Sequence, residues 1–131
     1  MTGWKVGYCA APARLTAEFR KSHQYVVFSV NAPMQAGIAR YLEDHPASYL
    51  ELPAFYQAKR DRFRAALAGT GLRLLPCEGS YFQVADYGAL SDLPEARFAT
   101  WLTETAGVAV VPMSAFYANP REQRLVRFCF A

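Results

Sequence analysis

Two cationic side chains stand where their surroundings call for an anion. Lys5 lies between Gly3 and Gly7 in TGWKVGY, ahead of an apolar run. A backbone without side-chain bulk lets an anion approach closely, and the ammonium supplies a point charge. Arg127 lies within the apolar run LVRFCF and, at the two-residue period of a strand, shares a face with Leu125 and Cys129. A guanidinium among apolar neighbours needs a partner, and a carboxylate suits its planar fork, which donates two parallel charge-assisted hydrogen bonds. Tyr81 and Phe82 follow the turn residues Gly79 and Ser80 and are suited to lining a pocket.

Each of these readings has a plainer rival. A lysine in a glycine-rich turn is more often simply solvated. Tyr81 and Phe82 serve equally well as core aromatics. The partner of Arg127 is either a protein Asp or Glu or the acid group of a ligand. Spacing alone slightly favours the internal pair, because ion pairs within proteins outnumber ligand sites.

Other chemistries lack their signatures. His23 and His45 are the only histidines and sit in no metal-binding motif, which argues against zinc. No G-x-S-x-G elbow, phosphate-binding Walker loop or paired Cys-His signature occurs, so hydrolase, nucleotide-triphosphatase and thiol-protease readings have no support.

The elements that must position these residues are readable from periodicity and punctuation. Residues 6–11 (VGYCAA), stopped by Pro12, read as a buried strand. Residues 16–25 read as a short helix capped by Thr16, and MQAGIARYLEDH as a helix ended by His45-Pro46. Residues 47–68 form a longer helical pattern that Pro53 should kink or cap, closed by Gly69-Thr70-Gly71. Residues 72–76 and 81–85 suggest a hairpin or bulged strand pair across the turn 77–80. Residues 93–105 give an amphipathic helix with Pro94 early, Gly107 as the stop, and Phe98, Leu102 and Trp101 on one face. Residues 108–112 and 125–131 are the last strand candidates, so the chain reads as α/β. The break resembling a domain boundary is at His45-Pro46-Ala47.

Composition bounds the answer. The chain has 131 residues, 53% hydrophobic and 19% charged, which calls for a packed core and not disorder. The formal charge of +3 comes from arginines spread from Arg14 to Arg127, whereas a nucleic-acid footprint is more concentrated. Cys9, Cys77 and Cys129 are far apart in apolar surroundings and read as buried thiols of a reducing, cytoplasmic protein. No apolar run approaches the length needed to cross a bilayer, and the first residues do not resemble a signal peptide.

Taken in order, TGWKVGYCAAP, SVNAPMQAGIARYL, LPCEGSYFQVADY, VAVVPMSAFY and RLVRFCFA resemble class I/II pyridoxal 5'-phosphate (PLP) dependent aminotransferases of fold type I. The likeness covers essentially all 131 residues and is strongest toward the methionine and kynurenine (glutamine-phenylpyruvate) branch.

The resemblance implies an aspartate aminotransferase-like fold. Residues 1–45 would end the large PLP-binding domain, and 46–131 would form most of the small C-terminal α/β domain, without its last helix. It implies PLP as cofactor, amino acid and 2-oxo acid substrates of methionine or aromatic/kynurenine type, and a homodimer. Lys5 matches the lysine that contacts the cofactor phosphate, Arg127 the arginine that grips the substrate α-carboxylate, and Tyr81 and Phe82 a segment bordering the substrate pocket. The Schiff-base lysine would lie upstream of Met1, so the 131 residues alone are expected to be inactive and to carry no catalytic residue. Two rival functions remain at this point: a non-catalytic truncated remnant, and a small α/β module binding an anionic partner through its arginines.

Overall fold

Prolines, asparagine and glycine punctuate the chain. In a computed structural model, which describes residues 2–119 and 121–131, the elements are a 3-10 turn Thr2–Trp4, α1 Ala13–Val26, α2 Ala32–Asp44, α3 Ala47–Leu50, α4 Leu52–Ala66, β1 Arg73–Leu74, β2 Phe82–Asp86, α5 Glu95–Ala106, β3 Val111–Pro112, a 3-10 turn Met113–Phe116 and β4 Leu125–Cys129. Met1, the first residue of the expected large-domain piece 1–45, lies outside the described residues. The chain divides into two compact units, Met1–Glu51 and Leu52–Ala131.

The first unit is helical. The side chain of Asn31 caps α2, accepting a hydrogen bond from the Met34 amide at 3.1 Å, and Pro33 occupies the first turn, where its missing N–H costs nothing. His45 ends α2 by donating its amide to the Tyr41 carbonyl at 2.9 Å. Two expectations need correction. Helix α1 opens at Ala13 directly after Pro12, and Thr16 lies inside it, its hydroxyl donating to the Ala11 carbonyl at 3.0 Å. Residues 6–11 form no strand, because a strand exists only through ladder partners and no described segment pairs with them. None of the residues of α1, α2 and α3 is buried.

The long helical pattern of residues 47–68 breaks at Glu51 into α3 and α4, with Pro53 in the first turn of α4, where its fixed φ suits a helix start.

The second unit holds a four-stranded sheet in the order β1-β2-β4-β3, every neighbour antiparallel. The pair 72–85 therefore does meet, as β1 and β2, with Leu74 opposite Ala85. Alternation sends Gln83, Ala85, Tyr87, Val126, Phe128 and Phe130 to one face, and all six are buried. Phe98 of α5 stacks on Tyr87 at 3.8 Å, and Phe63 of α4 lies 5.5 Å from Phe128 and 5.9 Å from Phe130. Burying each such large apolar side chain contributes about 1.5–3 kcal/mol, which makes this layer the core. Gly107 ends α5 in the left-handed region at φ 67°, a conformation that a residue with a Cβ adopts only at a cost. Trp101 departs from the expected buried stripe: it is 45% exposed, while Phe98 and Ala99 take the core positions.

The opposite face of the sheet carries Phe82, Val84, Asp86, Leu125, Arg127 and Cys129, none of them buried. The expectation of buried thiols is accordingly overturned. Cys129 is exposed on this outward face, Cys9 is exposed in an irregular segment, and Cys77 is half-buried with its thiol donating to the Phe82 carbonyl at 3.0 Å. No helix among the described residues is long and apolar enough to cross a membrane.

Candidate functional site

Arg127 occupies the middle of β4, an inner strand, with Val84 of β2 on one side and Val111 of β3 on the other. Its guanidinium carbon lies 4.0 Å from the centre of the Phe82 ring and 4.6 Å from that of Phe116. Both distances suit a cation held against an aromatic face. Its Nε is buried and has no hydrogen-bond partner among the described residues. A buried donor left unpaired costs about 1–3 kcal/mol, so the position calls for an acceptor.

The internal ion pair favoured by spacing is not formed. Among the described residues Arg127 bridges to no Asp or Glu, for two reasons. The sheet register sets valines beside it, and five of the seven acids of this unit are engaged elsewhere, Glu122 among them with the Glu95 amide. Asp86 pairs with Arg73, Asp92 lies 2.8 Å from Arg124, Asp61 lies 2.9 Å from Arg60, and Glu95 accepts backbone amides. The carboxyl of Asp86 is held below the usual carboxylate range, chiefly by the Gly88 amide, which donates to it at 2.7 Å, and next by Arg73.

Phe82 lies beside Arg127, and Tyr81 lies beside Phe82. The Ser80 hydroxyl accepts the Phe82 amide at 2.8 Å, a turn in which a short side chain stands in for backbone, and this sets the entry to β2. Phe82 is half-buried, and its ring centre is 4.5 Å from that of Tyr81, which is 42% exposed. Tyr56 of α4 follows, 5.8 Å from Tyr81. The structure thus brings Arg127 and Phe82 together on the outward side of the sheet and not in the core, with Tyr81 adjoining the Phe82 ring.

Lys5 belongs to the first unit. It follows the 3-10 turn and is exposed, and its side chain makes no hydrogen bond or salt bridge with a described residue. Lys5 itself adopts the left-handed conformation, at φ 57°, while neither Gly3 nor Gly7 does. A non-glycine residue there carries strain of about 1 kcal/mol or more, of the kind found at ligand-contacting turns.

Two residues escaped the sequence reading. Phe116 falls in what reads as a plain loop, though it belongs to the SAFY stretch of the resemblance; the 3-10 turn Met113–Phe116 puts its ring against Arg127. Glu95 reads as an ordinary acid at a helix start. It is in fact fully buried, accepting the amides of Ser114, Gln123 and Leu125. Burial pushes its carboxyl up, but those amides and the Ser114 hydroxyl hold it below the usual range. Among the described residues no group of His, Cys, Asp and Glu is arranged to hold a metal.

The family model of class I and II aminotransferases matches residues 1–131. The chain is 53% identical over its full length to the methionine aminotransferase of Escherichia coli (strain K12), of which it covers 34%. It is 34% identical over 98% of its length to kynurenine–oxoglutarate transaminase 1 of Mus musculus, covering 35% of that protein. Against the crystal structure of YbdL from Escherichia coli it superposes with a TM-score of 0.87 at 52% identity, over 99% of this chain and 34% of that one. The chain thus spans about a third of the length of the relatives it matches. Its fold is that of the fold type I, aspartate aminotransferase-like enzymes. A full-length family match, an identity above half and a superposable backbone agree, and the chain belongs to the class I and II aminotransferase family.

Proposed function

We propose that the whole protein carrying this segment is a PLP-dependent aminotransferase that moves an amino group from a methionine-type or aromatic/kynurenine-type amino acid to a 2-oxo acid. Arg127 holds the α-carboxylate, Phe82 and Tyr81 border the side-chain pocket, and Lys5 contacts the cofactor phosphate. The observation that carries this reading is the guanidinium of Arg127. Among the described residues it has a buried, unpaired Nε, two aromatic rings against it and no salt bridge to a carboxylate.

The donors present suit the anionic groups such an enzyme must bind. Lys5 offers an ammonium with no competing partner among the described residues, fit for a phosphate. Arg127 offers a planar fork with an unmet donor, fit for a carboxylate. When bound, PLP supplies the electron sink that lets nitrogen leave one carbon skeleton and join another.

The residues of this chain do the holding. Amino acid and 2-oxo acid both carry a carboxylate next to the reacting carbon, so one arginine serves both half-reactions. Anchoring that carboxylate removes rotational freedom and presents the α-carbon in a fixed pose. The rings of Phe82 and Phe116 limit the plane in which the guanidinium can lie and thin its hydration, which strengthens the ion pair. Tyr56, Tyr81 and Phe82 form an apolar border suited to thioether or aromatic side chains.

Residues 1–45 then form the end of the large PLP-binding domain and 46–131 the small domain, and the whole enzyme is a cytoplasmic homodimer. The segment spans about a third of its relatives, and the Schiff-base lysine comes from the rest of the whole protein, so the segment by itself does not transaminate. The test is to incubate the whole protein, and separately the 131-residue polypeptide, with methionine, phenylalanine or kynurenine plus a 2-oxo acid, following formation of the new 2-oxo acid. Turnover by the whole protein alone is expected. No turnover with any of these donors would remove the enzyme reading, and turnover by the short polypeptide would remove a Schiff-base lysine outside the segment.

A further inference from the structure

The carboxylate of Glu95 fastens three points that are remote from it in the chain. Its Oε2 accepts the Ser114 amide at 2.6 Å, and its Oε1 accepts the amides of Gln123 at 3.0 Å and Leu125 at 3.1 Å. In return, the amide of Glu95 donates to the Glu122 carboxylate at 2.9 Å. Ser114 stands two residues before Phe116 in the same 3-10 turn, and Leu125 stands two residues before Arg127 on the same strand face. One side chain therefore fixes both ends of the segment that lays the Phe116 ring against the Arg127 guanidinium.

The chemistry demands an anion at this position. Three converging N–H donors need a group that only accepts, and a carboxylate has lone pairs for all of them. A glutamine would turn its own NH2 toward at least one of those donors and leave an N–H unpaired. A fully buried carboxylate is an expensive fastening unless every hydrogen bond is made, which ties its presence here to the geometry it imposes.

We propose that Glu95 is a positioning residue for the substrate-carboxylate site: by gathering the Ser114 and Leu125 amides it sets the Phe116 ring against Arg127 and so fixes the plane in which the guanidinium meets its ligand. This rests on the reading of Arg127 given above. Glu95 is fully buried with its carboxylate taken up by backbone amides, and it acts through the two residues it spaces.

The test uses the full-length enzyme. Glu95→Gln is expected to raise the KM for the amino acid about tenfold with kcat held within about twofold, the pattern of lost binding and intact chemistry. Affinity for 3-phenylpropanoate, an unreactive monocarboxylate, should fall by the same factor, and Glu95→Asp, which keeps the anion, should recover most of the loss. In an Arg127→Ala background the Glu95→Gln effect on KM should vanish. If Arg127→Ala itself leaves KM unchanged, the carboxylate reading fails and takes this proposal with it. If Arg127→Ala raises KM but Glu95→Gln lowers only the melting temperature, the carboxylate reading stands and the role of Glu95 is overturned. Should Glu95→Gln not fold, Phe116→Leu decides the matter, since it leaves the carboxylate hub intact and removes the ring it places. A KM raised several-fold supports the proposal, and an unchanged KM overturns it.

Discussion

Phe82 and Arg127 are diagonal neighbours across two strands: Phe82 pairs with Cys129 and Arg127 with Val84, and the guanidinium carbon comes to rest 4.0 Å from the centre of the Phe82 ring. Antiparallel register puts such diagonal pairs within reach on one face, so a long cationic side chain finds the ring without leaving the sheet. The contact orients the guanidinium, whose Nε has no partner among the described residues.

Replacing Arg127 should therefore act on binding. Arg127→Ala in the full-length enzyme is expected to raise the KM for amino acids well over tenfold, corresponding to the roughly 1.5–3 kcal/mol of a charge-assisted hydrogen bond. Phe82→Leu should cost less, about two- to fivefold, as one cation–π contact of about 0.5–1 kcal/mol is lost. Steady-state kinetics check both, and equal effects of the two variants would contradict the assignment.

Lys5→Ala should weaken cofactor retention by about tenfold, with little change in melting temperature of the cofactor-free protein, because the ammonium is exposed and bonds to no described residue. Titration of the cofactor-free full-length enzyme with PLP, read by absorbance, measures it.

Acid should unfasten the second unit. Glu95 and Asp86 are both held below the usual carboxyl range in the fold. Carboxyls depressed in this way contribute stability that is fully present above their unfolded pKa near about 4 and is lost as pH falls through the lower folded values. Urea midpoints measured downward from neutral pH should fall steeply below that point, and Glu95→Gln, less stable at neutral pH, should show a shallower acid limb.

Phe98→Ala should destabilise by about 3–5 kcal/mol, since the ring is 1% exposed and stacks on Tyr87 at 3.8 Å. The same change should raise the solvent access of the Tyr87 hydroxyl, whose pKa burial, with help from Glu95 and Glu122, has pushed up to about 12. A spectrophotometric titration of the variant should show one more tyrosine ionising near its ordinary value.

Gly71→Ala and Gly107→Ala should destabilise by nearly the same amount. Both positions have positive φ, 82° and 67°, so each substitution carries about 1–2 kcal/mol of backbone strain. A Cβ at Gly71 would lie 2.5 Å from Leu90 Cδ2, but that methyl ends a side chain 48% exposed that can turn aside cheaply, and one at Gly107 meets nothing. Thermal melting of the two variants side by side is the check.

Local patterns made much of this protein legible. Period-two alternation placed β2 and β4, the residues Arg127, Phe82 and Tyr81 stood out by type against their neighbours, and ordered blocks of sequence carried the family. The same kind of evidence misplaced the segment 6–11, whose apolar run has no described ladder partner, and the cysteines, whose apolar neighbours say nothing about which way a thiol faces.

What remained for the tertiary structure was every relation between distant segments. That Arg127 has no acidic partner among the described residues follows from which residues the register sets beside it and from where Asp86 and Asp92 find their own arginines. That Glu95 is the hub of the 113–125 segment rests on amides 19, 28 and 30 residues away. Alternation and helical period report which face a side chain takes on its own element. Which groups then meet across that face is settled by packing and by the need of each buried donor and acceptor for a partner, and a one-dimensional pattern does not record that.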